Sequence, residues 1–342
     1  MPRLSPFFHV LGALPFALQG QANPLRRQTA SISALSNSQI SAFEPFSFYA
    51  SAAYCQPSAI LSWSCGPTCD SNPNFEPVAS GGDGVGVQFW YVGYDPSLET
   101  IIVGHQGTDP SKIVPLVTDS DIFLSGLDPA LFPGISPSIK VHSGFAEEHA
   151  KTATSVLSAV KAAMQESGLN KVTMVGHSLG NRPTSSLTLS LICFQALHFR
   201  FWRAFTCPSS CLALHSGWSV TVCLGSETKL SRRSSTAAMS KLITSITSEY
   251  YVHLHLPLNE ASVYLYEYEF REDVVPILPG RFLGFHHPRG EKHIQDDLSW
   301  LDCPGEDNPD KRCSTGDVSN IFKGKVSDHN GPYDGVTMGC LP

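Results

Sequence analysis

The chain has 342 residues, of which 42% are apolar, and a formal net charge of −7. This length allows one large α/β domain or two small ones, and the apolar fraction is sufficient for a sizeable core. A mildly acidic chain offers no electrostatic attraction for nucleic acid, so we expect no nucleic-acid partner.

The beginning of the chain is typical of a signal peptide. Arg3 precedes an apolar run from Phe7 to Leu18, and Ala22 is positioned for cleavage. The run is too short to span a bilayer, and no other stretch reaches transmembrane length, so we expect no membrane anchor and an extracellular location. The predicted organisation is a signal peptide over 1–22, a short pro-segment or linker over 23–45, and a single domain over 46–342.

Ten cysteines in a secreted chain predict disulfides. Cys65 and Cys69 could instead hold zinc, but no second ligand pair of suitable spacing accompanies them, so a disulfide framework is favoured. The flanking regions contain six cysteines: Cys55, Cys65, Cys69, Cys303, Cys313 and Cys340. The centre of the chain contains the other four: Cys193, Cys207, Cys211 and Cys223.

The apolar pattern then predicts elements in chain order. Aromatic and alanine residues from Pro45 predict a helix that enters the Cys-rich loop. Later patterns predict a strand pair over 85–94 and 100–103, a helix over 146–167 ended by Gly168, and a strand over 171–175. The order strand, helix, strand predicts an α/β fold with a mostly parallel central sheet.

The predicted strand Lys171–Val175 continues directly into Gly176-His177-Ser178-Leu179-Gly180. This is a complete G-x-S-x-G motif, the nucleophile elbow of α/β-hydrolases, in which a sharp turn after a strand exposes the serine side chain. Serine is a weak nucleophile, so it needs a base within hydrogen-bond reach and a carboxylate that orients the base. The pattern therefore makes Ser178 the candidate nucleophile.

Several residues could complete such a triad. Asp273 lies at the start of the apolar segment 273–276, downstream of the serine as the chain order Ser, Asp, His requires. Local patterns do not choose the base, for which the candidates are His329 in a turn-rich loop and its rivals His286, His287 and His293.

Together the motifs resemble the class 3 fungal lipases, the secreted Rhizomucor-type family. The resemblance covers roughly 46–180 and 271–340, and it implies an α/β-hydrolase fold stapled by disulfides. It is carried by the elbow and by five further motifs: Val141-His142-Ser143-Gly144-Phe145, Gly107-Thr108-Asp109, Glu272-Asp273-Val274-Val275-Pro276, Gly284-Phe285-His286-His287 and Asp328-His329.

The resemblance also implies roles for single residues. Ser178 would be the nucleophile, Asp273 the orienting acid and His329 the general base, while the main-chain N–H groups of Thr108 and Leu179 would form the oxyanion hole. The implied disulfides are Cys55–Cys340, Cys65–Cys69 and Cys303–Cys313. One departure is Gln106, where members of the family often have arginine.

The segment 109–120 falls where the family has its lid, and the alternative is an ordinary loop on the core. Its apolar residues favour water-insoluble esters, so the predicted function is a triacylglycerol lipase that acts on lipid at a lipid–water interface, as a monomer, without metal or organic cofactor. The alternatives are a feruloyl-type esterase of the same family and a non-catalytic protein. The predicted lid residues are Ile113, Val114, Leu116 and Val117.

The resemblance stops between Gly180 and Arg271, where the chain shows no consistent period and Pro183 interrupts the expected helix. In a shifted reading frame, Ser226–Ser231 can encode Val-Gly-Asn-Gln-Ala-Phe, a stretch typical of the family. We therefore predict that 181–270 contains translated intron and out-of-frame exon and is irregular, the alternative being a genuine insertion. A chain with this segment is expected to be poorly soluble and nearly inactive.

Overall fold

The structure is a computed structural model that describes residues 31–107, 124–126, 128–131, 140–178, 254–257, 267–278, 281, 287 and 290–341. The predicted signal peptide and lid, and most of the segment 181–270, lie outside these ranges. In chain order the strands are β1 Ser33–Ala34, β2 Glu76–Gly81, β3 Trp90–Asp95, β4 Thr100–His105, β5 Leu124–Gly126, β6 Lys140–His142, β7 Lys171–Gly176, β8 Leu254–Pro257, β9 Glu267–Phe270, β10 Glu291–Ile294 and β11 Trp300–Cys303. The α-helices are α1 Asn37–Ser41, α2 Glu44–Ala52, α3 Pro57–Leu61, α4 Pro67–Asp70, α5 Ser143–Ser167 and α6 Ser314–Asp317.

The main sheet has the strand order β2-β3-β4-β7-β8. β4 and β7 are parallel, and α5 lies between them in the chain, as a crossover connection requires. The other three pairs are antiparallel. Short connections join β2 to β3 and β3 to β4, which suits antiparallel neighbours. The prediction of a mostly parallel sheet is therefore not confirmed in the described part of the chain.

Helices cover both faces of this sheet. Along β4, Ile102 packs into the cluster that contains Tyr49 of α2, whereas Ile101 and Val103 pack into the cluster that contains Val156 of α5. Successive side chains of a strand point to opposite faces, so the apolar run of β4 is buried on both sides. This α/β layering is what the alternating order of elements predicts.

The helix α5 begins three residues before the predicted start at Ala146 and ends at the predicted residue, Ser167. Gly168 has φ +71°, and its N–H donates to the carbonyl of Met164 at 3.0 Å. The glycine therefore ends the helix in the left-handed conformation that favours this residue. Among the described residues, none of the helices has the length and apolar character needed to cross a membrane.

The strand β3 is shorter at its start than the predicted strand from Val85. The carboxylate Oδ1 of Asp83 accepts hydrogen bonds from the N–H groups of Val85, Gly86 and Val87 at 2.7–2.9 Å. These bonds hold the backbone in a tight loop, so its N–H groups are not available for a strand ladder. The hydrogen bonds from Val87 and Val85 also lower the pKa of Asp83.

A second sheet carries the C-terminal part of the domain in the order β1-β11-β10-β9, with β9 and β10 parallel. β1 belongs to the predicted pro-segment or linker, and it pairs with β11. β8 and β9 lie inside the segment 181–270, so the prediction that this segment is irregular is wrong at these eight residues. Leu254-His255-Leu256 and Glu267-Tyr268-Glu269-Phe270 alternate apolar and polar residues, which suits strands.

Candidate active site

The turn that follows β7 contains the candidate nucleophile. Ser178 has φ +57°, a left-handed conformation that is unfavourable for any residue with a Cβ, and the residue is 1% exposed. The buried strand Lys171–Gly176 ends two residues before Ser178 and holds the start of the turn in place. A strained left-handed serine at the end of a buried strand is the geometry of a nucleophile elbow.

The end of β4 lies against this turn. A Cβ added to Gly107 would lie 2.2 Å from the carbonyl oxygen of His177 and 3.1 Å from Cβ of Ser178. Only glycine permits this close approach of two backbones. The sequence motif that contains Gly107 predicted no separate role for this residue.

The candidate acid and base are hydrogen-bonded to each other. Nδ1 of His329 lies 2.8 Å from Oδ2 of Asp273, and both residues are buried. The other carboxylate oxygen, Oδ1, accepts the N–H of Val275 at 2.9 Å. When the carboxylate of Asp273 is ionised, Oδ2 accepts the Nδ1–H of His329, and the neutral imidazole keeps an unprotonated Nε2, which is the form that a general base needs.

Burial shifts the pKa of both groups. It raises the pKa of Asp273 well above the usual range, an effect that the hydrogen bond from Val275 partly offsets. Burial lowers the pKa of His329 to about 3. His329 is therefore neutral at neutral pH.

The third contact of a triad is not formed in this structure. Oγ of Ser178 and Nε2 of His329 are both buried, and neither has a hydrogen-bond partner among the described residues. In a catalytic triad these two atoms are hydrogen-bonded to each other, so a single hydrogen bond between them would satisfy both.

His177 connects the elbow to the loop that carries His329. Its Nε2 lies 2.8 Å from the carbonyl oxygen of His329, and its Nδ1 lies 2.6 Å from the hydroxyl of Tyr54. A carbonyl can only accept, so Nε2–H donates to it and Nδ1 accepts from Tyr54. Tyr333 donates a second hydrogen bond to the same carbonyl at 2.9 Å.

Burial holds the pKa of His177 well below the usual range, and the charge of the neighbouring His329 lowers it to a smaller extent. No sequence pattern predicted a role for Tyr54, His177 or Tyr333. The hydrogen bonds of His177 join residues that are 123 and 152 positions apart, and no local pattern marks such pairs.

The rival bases are differently placed. His287 lies 3.2 Å from Glu269, and His293 lies 3.6 Å from the same carboxylate, whereas the hydrogen bond to Asp273 comes from His329. His286 lies outside the described residues, as do the predicted oxyanion-hole residues Thr108 and Leu179 and the predicted lid residues Ile113, Val114, Leu116 and Val117. Gln106 accepts the N–H of Phe89 at 2.9 Å.

The structure contains the three disulfides Cys55–Cys340, Cys65–Cys69 and Cys303–Cys313, the pairs that the resemblance implies. The bond between Cys65 and Cys69 removes the alternative zinc interpretation of this spacing. The four central cysteines lie outside the described residues.

No protein-family model and no curated protein matches the chain. Solved structures do: lipase II from Rhizopus niveus is 19% identical with a TM-score of 0.59, over 91% of this chain and 100% of that one. Lip2 lipase from Yarrowia lipolytica is 17% identical with a TM-score of 0.61, over 91% and 98% of the two chains. A triacylglycerol lipase whose catalytic centre is a serine protease triad is 19% identical with a TM-score of 0.57, over 91% and 100%. The structural neighbours of the chain are thus fungal lipases, as its motifs indicate, and the chain has their α/β-hydrolase fold.

Proposed function

We propose that the protein is a secreted serine carboxylic-ester hydrolase of the lipase type. The observation that carries the proposal is the buried hydrogen bond of 2.8 Å between His329 and Asp273, beside an elbow that holds Ser178 at φ +57°. The ring of His177, the residue before the nucleophile, packs on the ring of His329 with centroids 4.3 Å apart. The similarity to lipase structures supports the same reaction class.

In the proposed reaction, Ser178 attacks the ester carbonyl carbon as its Oγ proton moves to Nε2 of His329. The tetrahedral intermediate then collapses, the carbon–oxygen bond to the alcohol breaks, and the alcohol leaves with that proton. Water attacks the acyl-enzyme, with His329 again as base, and releases the acid. Asp273 keeps the imidazole in the productive tautomer throughout. Catalytic hydrogen bonds are often long before substrate binds, and the unpaired Oγ and Nε2 are the two atoms that must meet.

We further propose that Thr108 and Leu179 supply the oxyanion hole, and that acylglycerols at a lipid–water interface are the substrates. The substrate assignment depends on the apolar residues of the sequence segment 109–120. Three disulfides support an extracellular location, because such bonds persist in oxidising compartments.

The proposed triad is tested with a fluorophosphonate probe and with hydrolysis of p-nitrophenyl butyrate. In protein made from the correctly spliced transcript, the parent should be labelled, whereas Ser178→Ala should be unlabelled and His329→Ala should lose several orders of magnitude in kcat. Ser47→Ala is the matched control, since Ser47 is also buried and its Oγ also has no partner among the described residues, but it lies in α2. Activity of Ser178→Ala within tenfold of wild type would remove Ser178 from this role.

Two comparisons separate the alternatives. Hydrolysis of tributyrin against methyl ferulate, with and without an emulsified interface, separates a lipase from a feruloyl-type esterase. Folded protein that the probe does not label would favour the non-catalytic alternative, and sequencing the transcript across codons 181–270 tests whether this segment is translated intron.

A further inference from the structure

A second group of buried titratable side chains lies on the strands β9 and β10, apart from the proposed triad. Glu269 and His293 are directly opposite each other in the parallel register of these strands. Glu291 precedes His293 by two residues, so its side chain points to the same face of the sheet. All three residues are at most 2% exposed.

The distances within this group are too long for good hydrogen bonds and short enough for a shared cation. Nδ1 of His293 lies 3.6 Å from Oε2 of Glu269 and 3.8 Å from Oε1 of Glu291. One ligand atom from each of the three residues lies within 4.8 Å of the others. In a tetrahedral zinc site with bonds of about 2.0–2.2 Å, neighbouring ligand atoms are roughly 3.3–3.6 Å apart.

Three atoms of the group have no hydrogen-bond partner among the described residues, although all are buried. They are Oε2 of Glu269 and both ring nitrogens of His293, whose side chain is 0% exposed. Buried polar atoms without partners cost free energy, and native proteins rarely leave several of them together. Oε2 of Glu269 and Nδ1 of His293 face each other, so one ion between them would satisfy both.

The charges favour a cation as well. Two buried carboxylates, Glu269 and Glu291, lie near the same ring nitrogen of His293, and they would repel each other if both were ionised. A divalent cation would remove this repulsion and permit both carboxylates to be ionised.

Surrounding groups fix the orientation of these side chains. Oε1 of Glu269 lies 3.2 Å from Nδ1 of His287, and Oε1 of Glu291 accepts the N–H of Ser314 at 2.8 Å. On the far side of His293, Nε2 lies 3.7 Å from Oδ2 of Asp317. Metal-ligating histidines often donate their other ring N–H to a carboxylate, and Asp317 lies on the side of the ring where such a bond would form, although 3.7 Å is longer than a hydrogen bond.

We propose that Glu269, Glu291 and His293 bind one divalent metal ion, and that the ion is zinc. One imidazole and two carboxylates form a ligand set that zinc accepts, whereas calcium and magnesium prefer oxygen ligands alone. The ion would have a structural role. It would join β9, which ends three residues before Asp273, to β10. It takes no part in ester hydrolysis.

The proposal is tested on the full secreted chain purified without a polyhistidine tag. Elemental analysis after dialysis should find about one zinc per molecule. After removal of the ion with a chelator, the melting temperature should fall by several degrees, and one equivalent of zinc should restore it. Protein that carries less than a tenth of an equivalent, and whose melting temperature does not respond to zinc, would overturn the proposal.

Variants locate the ion. Glu269→Gln keeps the size of the side chain but removes its charge, and it should weaken zinc binding by about 100-fold, measured by competition with a chromophoric chelator. Glu76→Gln, which changes an exposed carboxylate on β2, is the matched control and should bind zinc as the wild type does. Wild-type affinity in Glu269→Gln would also overturn the proposal. If that variant does not fold, zinc content and the zinc-dependent melting temperature of the wild-type chain still decide the question.

Discussion

The left-handed backbone of Ser178 makes a quantitative prediction about stability. At φ +57° a residue with a Cβ carries a strain of about 1–2 kcal/mol, which glycine does not. Glycine loses about 0.5–1 kcal/mol more conformational entropy on folding than alanine does. The difference leaves Ser178→Gly more stable than Ser178→Ala by roughly 0.5–1 kcal/mol. Both variants should be inactive, because both lack the hydroxyl.

Both variants should also be at least as stable as the wild type, since each removes a buried Oγ that has no partner among the described residues. The assay is urea unfolding at constant pH, followed by tryptophan fluorescence, with the free energies of unfolding compared. Stability would then be gained at the cost of activity, as expected where strain is held at a functional site.

Ser47 supplies a matched control with the opposite sign. Its Oγ is also buried without a partner among the described residues, but Ser47 lies within the helix α2. In a helix, glycine is less favourable than alanine by about 1 kcal/mol, so Ser47→Ala should be more stable than Ser47→Gly. If alanine were also the better residue at 178, the strain argument would be refuted.

Three further predictions concern the region around the site and the whole domain. In Gly107→Ala the new Cβ would lie 2.2 Å from the carbonyl oxygen of His177, the residue before the proposed nucleophile, so kcat/KM should fall at least about tenfold in a folded protein; an unchanged value would contradict the role proposed for this turn. Removing the Cys55–Cys340 bond, whose sequence separation is 285, by double substitution with alanine should cost roughly 5–6 kcal/mol in urea unfolding, against roughly 2–3 for the disulfide of separation 10. Equal losses would argue against the loop-entropy explanation. Burial keeps four histidines neutral in the fold: His105, His149, His177 and His329. The unfolded chain protonates its histidines near pH 6.5, so the free energy of unfolding should decrease from pH 7 to pH 5, by up to about 1.4 kcal/mol per pH unit for each of these residues. A urea midpoint that stays constant over this range would contradict the prediction.

Local patterns were sufficient for elements that are buried in a regular way. The strand at Lys171 and the helix that ends at Ser167 were predicted nearly to the residue, because apolar side chains recur there at strand and helix spacing. The strand pair β3 and β4 was also predicted, but β3 begins later than expected. The carboxylate of Asp83 holds the backbone of 85–87, before β3, in a loop.

Other features depend on contacts that a local pattern does not contain. The antiparallel β8 at the edge of the main sheet is paired through backbone atoms with a strand about 80 positions earlier, so nothing in its own four residues predicts the partner. Of the four candidate bases, His329 was selected by resemblance alone; its hydrogen bond to Asp273 spans 56 positions. The hydrogen bonds of His177 to Tyr54 and to the carbonyl of His329 had no signal at all.

The bond between Cys55 and Cys340 has a consequence for proteolysis. Cys55 belongs to the part of the chain that precedes Ser178, and Cys340 belongs to the part that contains Asp273 and His329. If a protease cut the chain once between 181 and 253, the two fragments would remain covalently joined, and each would contribute part of the proposed triad. Such a protein would run as one band without reductant and as two bands with it, a two-chain form analogous to many processed secreted proteins.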